Sequence, residues 1–333
     1  MSSDKEVPMS NLTRPDRPLP LALQQAVDDA RQFVKASVPA STQRAYATDW
    51  ATFCEWCRGH GVNSLPARPE AVAAFAADRA RSVRPSTIRR ALAAIAKMHK
   101  VADQPNPCEK EPVPATIKGI ERTAGTAVKG KAPANLDTVE RLVGSFPLTT
   151  MEGIRNRALV LVGFAGAFRR SELVGVDVSH LAWSDDGVVI TVPQSKTDQR
   201  GEGRTKPIPF VSGTSCAATA LKAWLVASGT TEGPVFRPLS RDGTLRNHGM
   251  SAQSVALIIK AACAKAGLDP KVYSGHSLRS GHVTEARSRG LSDADVMAVT
   301  GHKRIETLNI YDRRGNPFAK TSAGGVLSPK KEG

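Results

Sequence analysis

Residues 125–133 read GTAVKGKAP. The run is small, basic and turn-rich, and it has no apolar period, so no helix or strand of either flank continues through it. It cuts a chain of 333 residues into two stretches, each long enough to bury a core of its own. Hydrophobic residues make up 41% of the chain, which excludes disorder as its general state. The organisation this predicts is a tail over 1–20, a helical domain over 21–124, a linker over 125–134, a second domain over 135–318 and a tail over 319–333.

The first stretch carries a helical period. Leu23, Ala26, Val27, Ala30, Phe33 and Val34 recur at three- and four-residue steps, the stripe of a first helix. Ser41 or Thr42 is a candidate cap for a second helix reaching about Arg58, after which HGVNSLPARP breaks the chain. A third helix is predicted over 70–81. A fourth follows Ser86, in TIRRALAAIAKMHKVA, and a short fifth covers 115–123. In the second helix Tyr46, Trp50, Phe53, Cys54 and Cys57 share one face, as a core stripe does. The fourth sets an apolar stripe of Ile88, Leu92, Ile95 and Met98 against a basic face of Arg84, Arg89, Arg90, Lys97, His99 and Lys100. Such a face is either a solvated surface or a contact for nucleic-acid phosphates. The net charge of +15 favours a polyanion partner. Arg84, Arg89, Arg90, Lys97 and Lys100 are therefore the candidate DNA-binding residues.

The second stretch mixes patterns. Asn135 or Asp137 stands near the start of a helix in LDTVERLVGSF, and 152–168 reads as a strongly apolar helix, with an apolar run from Ala158. WSDDG at 183–187 is a turn between short strands, with VVITV at 188–192 the second strand. KPIPF at 206–210 reads as an edge-like third strand, because its prolines cannot donate to a ladder. Helices follow over 216–227, 251–266, 276–289, from Ser292 in SDADVMAVT, and over 305–311. The expected class is mainly α with a small antiparallel β-sheet in the second of two domains, without internal repeats.

Other classes are disfavoured. The longest apolar run, 158–168, is too short to cross a bilayer. The N-terminus, MSSDKEVPMSNLTRPDRPLP, lacks the apolar core of a signal peptide, so a cytoplasmic location is expected. Five scattered Cys fit reduced thiols. Cys54 and Cys57 have no second pair or suitably spaced His to complete a zinc site.

Four local patterns carry chemistry-bearing residues. GAFRRSEL places Arg169 at the end of the apolar helix with Glu172 three residues on; alone, this is an ordinary ion pair. QSKTDQR places Lys196 in a turn after the VVITV strand, where a solvated lysine is equally ordinary. GHSLRS places His276 and Arg279 three apart at a helix start, beside unsatisfied N–H groups suited to a phosphate; the plain alternative is a capping His beside a surface Arg. TGHKRIETLNIYDRR ends one helix at Gly301, follows it with His302, and delivers Tyr311 on the next, where Tyr311 would otherwise pack with Ile305, Leu308 and Ile310. Together two Arg, a Lys, two His and a Tyr suit phosphoryl transfer. Charge developing on phosphate oxygens needs fixed cations and N–H donors, the Tyr hydroxyl must lose a proton, and the leaving alkoxide must gain one. No carboxylate cluster for Mg²⁺ accompanies them, so neither metal nor cofactor is expected.

At these residues the chain resembles the tyrosine recombinase (phage integrase) family. The resemblance covers a helical core-binding domain, a linker and a catalytic domain. It implies that Arg169 is the first catalytic arginine and Glu172 its supporting acid, that Lys196 is the β-hairpin lysine, that HSLR supplies His276 and Arg279, and that TGHK supplies His302, with Tyr311 nine residues later as nucleophile. Arg170 and Lys206 are the neighbouring alternatives to Arg169 and Lys196. Helical geometry would turn Arg170 about 100° away, and Lys206 falls inside a predicted strand. The implied activity is site-specific cleavage and rejoining of double-stranded DNA through a 3′-phosphotyrosyl bond and a Holliday junction. It implies a homotetramer on two DNA sites, a monomer or weak oligomer off DNA, and no membrane, metal or ATP. Gly315, Pro317, Gly324 and Gly325 argue against a long helix after Tyr311. Two rivals use similar features: a DNA-binding protein of this fold without strand exchange, which has no need of Tyr311 or Lys196, and a type IB topoisomerase-like enzyme that nicks and reseals one strand.

Overall fold

The computed structural model of the chain describes residues 20–125, 130–193 and 203–312. They fall into two compact units, Met1–Val128 and Lys129–Gly333. In the first unit the described helices are α1 (Leu21–Ala36), α2 (Ala40–Gly59), α3 (Pro69–Ala80), α4 (Pro85–Val101) and α5 (Val113–Ala124). Both α3 and α4 open on proline, at the position where a missing N–H breaks no helical bond. Arg84, rather than Ser86, therefore precedes α4.

The stripes of α2 and α4 meet as their periods require; that of α1 does not, since Leu23, Ala26, Ala30 and Phe33 are exposed. Phe53, Cys57, Val72, Phe75, Ile88, Ile95, Val113 and Ile117 form the core of this unit. Phe53 and Phe75 meet edge-to-face at 5.1 Å. Burial, and then the neighbouring Cys54, pushes the Cys57 thiol up to about 11, which makes it an inert core group. One residue leaves the predicted basic face. His99 is fully buried, its Nε2 accepts from the Ala67 N–H at 2.9 Å, and its Nδ1 lies 2.8 Å from the Ile95 carbonyl. The Ile95 carbonyl can only accept, so Nδ1 donates to it while Nε2 accepts, and the ring is spent on the backbone of the core.

The second unit is built round α7 (Met151–Ala165), whose Ala158, Leu159, Val160, Leu161 and Val162 are all buried. Against it pack α6 (Leu136–Gly144), α9 (Ala217–Ser228), α10 (Ala252–Lys265) and α11 (Gly275–Ser288). The short α8 (Arg170–Val174) follows α7, and α12 (Asp293–Thr300) and α13 (Ile305–Asp312) end the described chain. Ala132 and Ala134, predicted as linker, are held in this unit by bonds from their N–H groups to the Val272 and Ser277 carbonyls.

A three-stranded antiparallel sheet of β1 (Leu181–Ser184), β2 (Gly187–Val192) and β3 (Arg204–Pro209) runs in the order β1-β2-β3. The register pairs Val188 with Ile208 and Ile190 with Lys206. As an edge strand, β3 turns Pro207 and Pro209 outward and Lys206 and Ile208 inward. Among the described residues no helix is long and apolar enough to cross a membrane.

Candidate active site

The helix α7 ends three residues before the predicted 168. Ala167 takes a left-handed φ of +46°, uncommon outside glycine, and the chain leaves the helix there. Arg169 consequently stands on extended backbone ahead of α8, so the helical argument separating it from Arg170 does not apply. A different contact separates them. The Arg169 N–H donates to Glu172 Oε2 at 3.0 Å, and its guanidinium pairs with the other carboxylate oxygen. Arg170 is exposed and lies along Gly275; a Cβ there would come within 2.2 Å of its Cδ. Burial alone would raise the Glu172 carboxyl, but the Arg169 N–H and guanidinium hold it below the usual carboxylate range. Glu172 is therefore a buried carboxylate that orients Arg169.

Ser274 caps α11 by accepting from the His276 N–H at 3.2 Å, which leaves His276 exposed in the first turn. Arg279, one turn on, is 1% exposed. It donates to the Ala167 carbonyl and to the Thr300 carbonyl, both at 2.6 Å, and its Nη2 lies 3.1 Å from His302 Nε2. One guanidinium thus joins the loop that presents Arg169 to the turn that presents His302.

That turn follows α12, which ends on Gly301 at φ +68°, ψ +37°, as the sequence predicts. The positive φ favours glycine, and a Cβ there would also displace the Arg204 guanidinium, whose Nη1 reaches from β3 to the Thr300 carbonyl at 3.1 Å. The His302 ring has a defined tautomer. A guanidinium only donates, so Nε2 accepts from Arg279, and the proton sits on Nδ1, 2.9 Å from Thr300 Oγ1. Burial, then the positive charges of Arg279 and Arg169, pushes His302 down to about 4. The folded protein holds fewer protons at this ring than the unfolded chain between pH 6.5 and about 4. Stability contributed by neutral His302 is present above pH 6.5 and is lost as the pH falls through that window. Melting curves recorded from pH 7 to 4 should fall less steeply for His302→Gln than for the unaltered chain.

Leu308 anchors α13 in a small cluster with Val283, Ala286 and Val296. Arg287, at the end of α11, adds a polar anchor. It bonds Asp293 at 2.7 Å, the Leu308 carbonyl at 3.3 Å and Asn309 Oδ1 at 3.3 Å. Tyr311 lies in the last turn of α13, and its side chain is outside the described residues, as is all of Lys196. Replacing Arg287 by Ala should loosen α13. Hydrogen exchange over 305–312 should rise, and the free energy of unfolding should drop by about 1.5–3 kcal/mol, the scale of lost bonds to a charged group.

Arg169, Glu172, Arg279 and His302 are thus brought together, with His276 near enough to depress His302 further. The five DNA-binding candidates, Arg84 just before α4 and four within it, lie in the other unit. Arg84, Lys97 and Lys100 are exposed. Arg89 and Arg90 make two-pronged ion pairs, Arg89 with Glu121 of α5 and Arg90 with Asp49 of α2. Lys97 lies 5.7 Å from the centre of the Tyr46 ring. Sequence reasoning missed Arg204, and it left Lys206 as a mere alternative. The signal for Lys206 was its alternation with Ile208 on the inward face of β3. Among the described residues no group of three or more His, Cys, Asp or Glu converges as a metal site would.

The chain is similar to known proteins. The chain is 38% identical over 293 residues to an integrase/recombinase XerD homologue of Selenomonas ruminantium, spanning 87% of this chain and 86% of that one. It is 26% identical over 300 residues to the tyrosine recombinase XerC of Herpetosiphon aurantiacus, spanning 86% and 89%. Among solved structures it shares the fold of the Tn1549 transposon integrase in complex with transposon right end DNA, with a TM-score of 0.63 at 14% identity over 89% of this chain and 96% of that one. It also shares the fold of a lambda integrase tetramer bound to a Holliday junction, with a TM-score of 0.59 at 16% identity over 90% and 80%. The sequence model of the phage integrase family matches residues 135–316, the part that holds every residue of the site, and the chain belongs to that family: it is a tyrosine recombinase, an enzyme that cuts and rejoins DNA strands in site-specific recombination.

Proposed function

We propose that Tyr311 attacks a scissile phosphodiester of double-stranded DNA, forming a 3′-phosphotyrosyl bond and expelling a 5′-hydroxyl. Arg169 and Arg279 bind the non-bridging oxygens, and His302 adds a hydrogen bond to them. His276 takes part in removing the Tyr311 proton, and Lys196 protonates the leaving oxygen. The observation that carries this reading is the join made by Arg279, which ties the Arg169 loop to the His302 ring through the Ala167 and Thr300 carbonyls. Preorganised cations of this kind stabilise charge as it develops, without reorganising at the moment of reaction. With DNA bound, His302 must present a proton on Nε2. A phosphate anion beside the ring favours a proton on that nitrogen. The covalent bond conserves the phosphodiester energy, so rejoining needs no ATP.

The helical unit is assigned to DNA binding through Arg84, Arg89, Arg90, Lys97 and Lys100. The exchange is assigned to four protomers on two sites, passing through a Holliday junction in the cytoplasm. The likeness to a lambda integrase tetramer on such a junction supports that assembly. The test is to express the chain in cells, recover DNA covalently attached to it, and sequence the junctions. The expected result is attachment to a 3′-phosphate opposite a free 5′-hydroxyl at a recurring sequence. Attachment at 5′ ends would overturn the mechanism. Attachment at scattered sequences, with relaxation of any supercoiled plasmid, would favour the topoisomerase-like alternative.

A further inference from the structure

Lys206 has no part in the chemistry set out above, yet it is only 1% exposed beneath the site. Its amine donates to the Gly166 carbonyl and to the Val299 carbonyl, both at 2.6 Å. Both acceptors are at helix C-termini, where carbonyls lack partners along the helix and carry the negative end of its dipole. Gly166 closes α7 three residues before Arg169, and Val299 lies in the last turn of α12 three residues before His302. The Arg279 guanidinium repeats the pattern one residue further along, from the Ala167 carbonyl to the Thr300 carbonyl. Two cations thus form successive rungs between the same two segments. One comes from β3 and the other from α11.

We propose that Lys206 is a positioning residue for strand cleavage, holding the Arg169 loop and the His302 turn at the spacing that lets both reach one phosphate. The inference rests on reading those two residues as phosphate ligands. The surroundings of the amine fit a lysine kept for geometry. The Phe168 ring lies 4.8 Å away. Burial, against the attraction of Glu172 and with the repulsion of Arg279, Arg204 and Arg169, brings the amine down to about 7. His282 of α11 also feels its charge. A neutral amine still has two N–H donors, so the grip on both carbonyls survives loss of the proton. A fold indifferent to this link would be served as well by an apolar side chain of the same length, which avoids burying a cation.

The test uses the full chain with Lys206→Met, and Lys206→Gln as a second variant, on a nicked duplex carrying the sequence that the unaltered protein traps in cells. The expected result is adduct formation slowed by about 30–100-fold, with duplex affinity changed by less than about threefold. In a His302→Ala background the same substitution should cost less than about threefold more, because its effect runs through His302. Cleavage at the normal rate overturns the proposal, as does an equal fold-loss in both backgrounds or a parallel loss of binding. If neither variant folds, Lys206 is a structural residue and the proposal fails. If the unaltered protein itself forms no adduct, the recombination mechanism fails before Lys206 is in question.

Discussion

Tyr311→Phe is expected to form no SDS-stable adduct with DNA, a loss of at least about 10⁴-fold, while binding the same duplex as tightly as the unaltered chain. The size follows from the chemistry. Phenylalanine has no oxygen to attack phosphorus, and arginines that stabilise the transition state cannot substitute for a missing nucleophile. The separation of cleavage from binding follows from the architecture. Tyr311 lies in the last turn of α13, whose anchoring belongs to Leu308 and Arg287. Gel shift and denaturing electrophoresis on one preparation check both halves. An adduct from the Phe variant would remove Tyr311 from its role.

The second large effect is expected at Arg279. Arg279→Ala should slow adduct formation by about 10³-fold or more, through loss of a charged donor to the reacting phosphate. It should also destabilise the second unit by about 2–4 kcal/mol, because the buried Ala167 and Thr300 carbonyls lose charged donors. Arg279→Lys should recover part of the stability and little of the rate. A single ammonium cannot span two carbonyls and the His302 ring with the fork geometry of a guanidinium. Calorimetry and adduct kinetics on both variants check this. If the Lys variant cleaves as the unaltered chain does, Arg279 acts as a point charge and the join it makes is incidental.

These effects differ in how visible their causes were before folding. The helices were legible because their stripes repeat at the helical period, and the edge character of β3 because proline lacks a donor. Gly301 was legible as a helix end because the left-handed cap there favours glycine. Ala167 was not. A non-glycine residue at φ +46° leaves no local mark, so the apolar run was read to 168 and Arg169 was placed on a helix it does not occupy. His99 was misplaced on the basic face because its partner for Nε2, the Ala67 N–H, lies 32 residues away.

The sequence by itself determined the helical and strand periods, and it offered a two-part division and a set of residue types suited to phosphoryl transfer. Spacing within each motif was enough for these, since helix faces and caps depend on neighbours within a turn. Only the tertiary structure decided which cations bond backbone carbonyls. Arg279 reaches a carbonyl 112 residues away, Arg204 one 96 away, and Lys206 carbonyls 40 and 93 away. The physical reason is that an unpaired helix-end carbonyl takes whichever donor packing brings within about 3 Å. That choice is made by the fit of α7, α11, α12 and β3 against one another.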